Sequence, residues 1–164
     1  MIESERLILV PVNIEMLDSL IESDEAFRKK YGYVNDGGEY LKPSPFYLYK
    51  IRARLLINPN EYPLAVDRLI ILKSVNSVIG TIYFKKLPHK GVTEVGYGMN
   101  LKYEGNGYMT EALKLLLEYG KENGVKTVLA DTTKGNLRSQ KVLLRNGFSL
   151  LKEEDNILYF SKDL

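Results

Sequence analysis

Residues 93–113 read TEVGYGMNLKYEGNGYMTEAL, and across this stretch the spacing changes from that of a strand to that of a helix. From Thr93 to Leu101 the chain alternates Val95, Tyr97, Met99 and Leu101 with Glu94, Gly96, Gly98 and Asn100, the period of two expected of a strand. One face is bulky and apolar, the other nearly bare. Two glycines on one strand face give up packing and cost backbone entropy, so the pattern predicts close approach by a ligand or another chain segment. The loop 102–107 carries Gly105 and Gly107 in a G-x-G. Met109, Ala112, Leu113, Leu116, Leu117 and Gly120 then fall on one helical face, and Gly124 supplies a C-terminal stop.

A glycine loop feeding a helix N-terminus leaves backbone N–H groups unpaired at the positive end of the helix dipole. Such a point attracts anions, most often phosphate. A tight turn whose glycines only relieve strain explains a lone G-x-G equally well. The bare glycine face just upstream is what favours a ligand.

A length of 164 residues suits one domain, 1–164, with a sizeable core, and 45% hydrophobic with 27% charged residues is ordinary for a globular chain. Without cysteine there is no disulfide, thiol nucleophile or thiolate metal site, and a cytoplasmic location is expected. The single histidine, His89, falls in the turn-like LPHKG and reads as a solvated loop residue more readily than a catalytic one. No metal is expected. A net charge of +2 gives no argument for nucleic acid or membrane, and the apolar runs are too short to span a bilayer.

In chain order, Arg6–Val10 is a short strand closed by Pro11, and Asn13 caps a helix in which Ile14, Leu17, Leu20 and Ile21 share a face. Residues 24–30 add a second helix. The following YGYVNDGGEYLKPSP has no periodicity and reads as a long loop; five of twelve tyrosines lie between Tyr31 and Tyr49, placed either to shape a pocket or to pack the loop down. Ser44 and Pro45 open a helix that stops before Pro59. Strands are expected at 66–73, 78–86 and 93–101, an antiparallel meander because their connections are short. The helix 108–123 supplies a crossover, so 127–133 returns parallel to 93–101. Asn136 caps a helix 137–145 ended by Asn146-Gly147, and 148–152 with 156–161 form a hairpin around the acidic turn 153–155.

The blocks EVGYGMNLKYEGNGYMTEAL and NLRSQKVLLRNGF, covering roughly residues 93–148, resemble the GNAT superfamily of acetyl-CoA-dependent N-acetyltransferases. Within it they are most similar to the branch holding the RimJ and RimL ribosomal-protein N-terminal acetyltransferases. The resemblance implies an α+β fold: a mostly antiparallel twisted sheet of about six to seven strands, a splayed parallel pair (93–101 and 127–133), and about four to five flanking helices. It implies acetyl-CoA as cosubstrate in that splay. Gly98, Met99, Asn100 and Leu101 then bind the cofactor, with backbone bonds from Met99 and Leu101 to the pantetheine and an N–H of Gly98 or Met99 polarising the thioester carbonyl. Gly105, Asn106, Gly107, Tyr108 and Met109 wrap the pyrophosphate, and Asn136 holds the cofactor arm. Glu94 is the expected catalytic base, against the alternative of a strand glutamate paired with a lysine. Ser139 is the expected proton donor to the leaving thiolate, against that of a helix-surface serine.

By the same resemblance the acceptor is a primary amine, a protein or peptide N-terminus such as that of a ribosomal protein, with a small amine (polyamine or antibiotic) as alternative. Monomer and homodimer are both compatible. The family loop usually begins with Arg or Gln and carries a basic residue between its glycines; this chain has Lys102, an acidic Glu104 and Asn106. A carboxylate near a pyrophosphate opposes binding by roughly 1 kcal/mol when screened, which leaves a non-catalytic acyl-CoA-binding domain as a further alternative. A dinucleotide-binding oxidoreductase, with Asp131 at the ribose, is disfavoured: Thr110 stands where the third glycine belongs, and antiparallel strands precede the loop.

Overall fold

A computed structural model of the chain describes residues 2–36, 64 and 66–164. The helix expected after Ser44 and the tyrosines at 40, 47 and 49 lie outside the described residues. The elements run β1 (Ile2–Glu3), β2 (Leu7–Pro11), α1 (Ile14–Glu22), α2 (Asp24–Tyr31), β3 (Val34–Asn35), β4 (Arg68–Leu72), β5 (Ser77–Phe84) and β6 (Val92–Met99). A 3-10 turn (Leu101–Tyr103) follows, then α3 (Tyr108–Glu122), β7 (Thr127–Thr133), α4 (Leu137–Arg145), β8 (Ser149–Glu154) and β9 (Ile157–Asp163).

The described strands form one sheet in the order β1-β2-β4-β5-β6-β7-β9-β8, with β3 parallel to β5. This is the mixed, mostly antiparallel sheet expected. It has nine strands because β1 and β3 are two residues each, too short for alternation to register in sequence. β3 therefore interrupts what reads as a long loop: the Val34 N–H donates to the Asn76 carbonyl at 3.0 Å, and Asn76 Nδ2 donates to the Gly32 carbonyl at 2.6 Å.

Helix starts follow the caps. Asn13 Oδ1 accepts from the Met16 N–H at 2.8 Å, Ser23 Oγ from Ala26 at 3.0 Å, and Asn136 Oδ1 from Ser139 at 3.1 Å. In α1, Leu17 is buried and Ile14 and Leu20 pack against the same cluster as expected, but Met16 is buried too while Ile21 is 52% exposed. The helix turns its Met16–Leu17 side into a cluster with Phe27 of α2 and Leu69, Ile71 and Val78 of the sheet. On the opposite sheet face α3 buries Met109, Ala112, Leu113, Leu116, Leu117 and Gly120, the face its spacing predicts. These pack with Leu7, Leu9, Ile70, Ile79, Phe84 and Val95 in the main core. At Gly120 a Cβ would stand 2.9 Å from Phe84 Cζ, so the helix seats on the sheet only without a side chain there.

Two sequence boundaries shift. β6 ends at Met99, and Leu101, expected on its apolar face, sits in the 3-10 turn with 66% of its surface exposed. The cause is Asn100, whose Oδ1 accepts from the Lys102 N–H at 3.0 Å and turns the chain. In the last hairpin Glu153 and Glu154 are strand residues, and Asp155, with φ of 51°, makes the turn. No helix among the described residues is long and apolar enough to cross a membrane.

Candidate active site

The site grows from one failure of pairing. β6 and β7 run parallel through Val92↔Thr127, Thr93↔Val128 and Glu94↔Leu129, and beyond that register the ladder stops. On its other side β6 stays paired with β5 through Met99. The Glu94 carbonyl accepts from the Lys85 N–H at 2.6 Å and the Asn100 N–H donates to the Ile79 carbonyl at 3.0 Å, so even-numbered residues of β6 turn their backbone groups toward β5. By alternation, Tyr97 and Met99 turn theirs into the gap. Of the two residues expected to polarise a thioester, Met99 thus faces the gap and Gly98 faces β5. The close approach foreseen at the glycines comes from β5. A Cβ at Gly96 would stand 2.8 Å from Tyr83 Cζ, and one at Gly80 would stand 2.4 Å from the Gly98 carbonyl oxygen.

At the open end of this V lies the glycine loop. Gly105 and Gly107 have φ of 81° and 80°, a region L-residues avoid. Gly107 is the N-cap of α3 and no side chain caps that helix, whereas α1, α2 and α4 are each capped by Asn or Ser. The first N–H groups of α3, from Tyr108 on, are thereby left for an anion. Arg6 steadies the approach: it bonds Glu111, donates to the Asn106 carbonyl at 3.3 Å, and its guanidinium lies 4.8 Å from the Tyr108 ring centre. The Asn106 side chain is turned inward, Nδ2 donating to the Tyr103 and Glu104 carbonyls at 3.1 Å each. Asp36 ties the loop to β3, bonding Lys102 Nζ at 2.6 Å and the Tyr103 hydroxyl. Those bonds, led by the one from Lys102, hold the Asp36 carboxyl below its ordinary range. The acidic Glu104 is met by Arg138 of α4.

At the vertex, Lys85 Nζ lies 2.5 Å from Glu94 Oε1 and also bonds Asp131 of β7; Lys86 Nζ is 3.6 Å from Glu94 Oε2. The expected base is therefore paired with a lysine across the sheet, and it stands where the two strands part. Burial works against the Lys85 ammonium, but the bonds to Asp131 and Glu94 outweigh it and hold its pKa above the ordinary value. The Asp131 carboxyl is held below its ordinary range, chiefly by Lys85.

Ser139 stands in the first turn of α4, its N–H spent on the Asn136 cap. Its Oγ is 2.9 Å from the Tyr97 hydroxyl, which reaches over from β6. Ser139 is half-buried, not a plain surface serine. Burial, only partly offset by Ser139, pushes the Tyr97 phenol up.

Sequence reasoning missed Arg6, Lys85, Tyr97 and Arg138. The Lys85–Glu94 pair was within reach, because the short loop 87–91 fixes the register of β5 on β6. Alternation alone makes Tyr97 apolar filling, and Arg138 meets Glu104 across 34 positions with no local signal. Among the described residues no group of three or more His, Cys, Asp or Glu side chains is placed to hold a metal.

Comparison with known proteins agrees with this architecture. The model of an acetyltransferase (GNAT) domain matches residues 6–149. The uncharacterized N-acetyltransferase YjdG of Bacillus subtilis is 27% identical over 157 residues, 92% of this chain and 90% of the relative. The ribosomal-protein-serine acetyltransferase of Escherichia coli is 27% identical over 85 residues, 51% of this chain and 48% of the relative. Among solved structures, the ribosomal-protein-S5-alanine acetyltransferase from Vibrio fischeri superposes with a TM-score of 0.72 at 18% identity, covering 98% of this chain and 94% of that one. The chain belongs to the GNAT family of acetyltransferases, enzymes whose acetyl donor is acetyl-CoA.

Proposed function

We propose that this N-acetyltransferase acts on the α-amine of a protein or peptide N-terminus, by direct attack of the amine on the acetyl-CoA thioester. The observation that carries the reading is the state of Glu94. One oxygen of that carboxylate is already occupied by the Lys85 ammonium, at 2.5 Å, which suits an amine that is itself partly neutral at working pH. A free α-amine, with an ordinary pKa near 8, meets that condition; a lysine or polyamine nitrogen, near 10, does not. The similarity to a ribosomal-protein-serine acetyltransferase points the same way.

In this mechanism the phosphates rest on the N–H groups of Gly107, the N-cap, and of Tyr108 and Met109 at the start of α3, and the Met99 N–H polarises the thioester carbonyl and holds the oxyanion that develops. The amine attacks; Glu94, oriented by Lys85 and Lys86, takes its proton through water. Collapse breaks the C–S bond and Ser139 gives its proton to the departing sulfur. The acidic Glu104 that favours a merely acyl-CoA-binding domain is offset by Arg138, so the catalytic reading leads.

The test is release of CoA thiol from acetyl-CoA against peptides with free or blocked N-termini, a polyamine and an aminoglycoside. Turnover confined to free N-termini is expected. Turnover of the small amines alone would overturn the acceptor assignment, and none with any amine would restore the non-catalytic alternative.

A further inference from the structure

Tyr97 has no place in the mechanism above, yet its hydroxyl lies 2.9 Å from Ser139 Oγ. The inference below rests on Ser139 acting as the proton donor. A serine hydroxyl carries one hydrogen and two lone pairs and rotates freely unless something fixes it. Its N–H is occupied by the Asn136 cap at 3.1 Å, which fixes the backbone but leaves Oγ–H free to turn. The helix offers that hydrogen a competing partner, since a serine hydroxyl readily bonds backward to a carbonyl in the preceding turn. A donor bonded to Oγ would remove that freedom.

We propose that Tyr97 is a positioning residue for the acid step: its phenol donates to Ser139 Oγ and so turns the serine hydrogen toward the sulfur leaving from the gap. The 2.9 Å separation lets either hydroxyl donate; donation by the phenol is the direction that leaves the serine hydrogen free for the sulfur. The Tyr97 hydroxyl has two oxygens of Ser139 in range, Oγ at 2.9 Å and the carbonyl at 3.5 Å, and the shorter contact is the stronger. Burial favours the protonated phenol, so Tyr97 remains a donor throughout the working pH range. The placement also explains why a tyrosine stands on the apolar face of β6. Val95 and Met99 fill the core beside it, and phenylalanine would pack equally well, so the hydroxyl is the part that packing does not require. In the step itself the acceptor N–C bond has formed, the C–S electron pair leaves on sulfur, and the Ser139 proton moves to it. As charge grows on Oγ the Tyr97 hydrogen bond strengthens, and the proton lost by the amine returns to Oγ through solvent.

The experiment compares Tyr97→Phe, Ser139→Ala and the double variant, with saturating acetyl-CoA and both a free-N-terminus peptide and a polyamine as acceptors, so that either acceptor class yields rates. Ser139→Ala should lower kcat roughly 100-fold or more, and Tyr97→Phe roughly 5–10-fold with KM for acetyl-CoA and the melting temperature nearly unchanged. In the double variant the two losses should not multiply, because the phenol acts only through the serine. A wild-type kcat in Tyr97→Phe while Ser139→Ala is impaired would overturn the positioning role alone. So would a Tyr97→Phe loss of the same factor in the Ser139→Ala background, which marks a structural effect. A wild-type rate in Ser139→Ala would overturn the acid role of Ser139 and the positioning role with it.

Discussion

Glu104 on the glycine loop and Arg138 in the first turn of α4 form an ion pair that joins the two lips of the V. The pair neutralises the one acidic residue of the loop, which would otherwise oppose a pyrophosphate there. Arg138→Ala should therefore leave the carboxylate unopposed and weaken acetyl-CoA binding roughly fivefold, about 1 kcal/mol for a solvent-screened charge. The loss should shrink at high salt. Calorimetric titration at two ionic strengths reads it; an unchanged affinity would place Glu104 away from the phosphates.

Glu94→Gln keeps the shape of the side chain and removes its capacity to take a proton. The rate should fall roughly 100-fold or more, with acetyl-CoA affinity unchanged because the vertex lies away from the glycine loop. Lys85 retains Asp131 as a partner, so folding should be preserved. Steady-state kinetics across pH check this, and wild-type rates would assign the proton to another group or to water alone.

Gly107→Val tests the anion site against a matched control. Gly107 and Gly124 both have strongly positive φ, 80° and 85°, and a side chain at either costs roughly 1–2 kcal/mol of backbone strain. Around Gly124 there is open space, and it lies at the far end of α3. Both variants should melt earlier, but only Gly107→Val should lose acetyl-CoA binding. Equal binding by the two would dissolve the phosphate-loop assignment.

Glu111 supplies a pH dependence of stability. Burial alone would raise its carboxyl, but the Ser4 hydroxyl and the Arg6 guanidinium more than reverse this and hold it below its ordinary 4.5. A group whose pKa is depressed on folding contributes stability fully above the unfolded value and loses it as pH falls through the folded one. From about pH 4.5 downward the wild-type melting temperature should therefore drop more steeply than that of Glu111→Gln, whereas above it the wild type should be the more stable. Parallel curves would mean the contacts persist in the unfolded chain.

The sequence carried the site as far as local pattern reaches. Alternation in 93–99, the face of α3, and the Asn13 and Asn136 caps are decided within a few residues, and each formed as read. The parallel return of 127–133 follows from one connection length, and the splay only from the family resemblance. What escaped were relations set by the sheet as a whole. Which amide of Gly98 or Met99 faces the gap depends on the β5 register; the partner of Glu104 is 34 residues away; and Leu101 left its strand because the Asn100 side chain captured a neighbouring amide. Tyr97 shows the limit most clearly: its ring belongs to the core and its oxygen to Ser139, and alternation sees only the ring.

The halt of the β6–β7 ladder at Glu94 and Leu129 leaves this sheet one strand short, and the vacancy is internal. Unpaired strand edges on a protein surface invite any extended peptide to add on. Here the vacancy is recessed between two halves of one sheet, and it narrows to nothing at the vertex. The backbone groups of Tyr97 and Met99 are offered over only a short reach, which suits a thin linear arm bearing amides better than a full strand. On the proposed reaction, selection between carrier and acceptor would need no dedicated filter: a short, tapering gap suits the thin arm of acetyl-CoA and leaves the acceptor to present a single nitrogen.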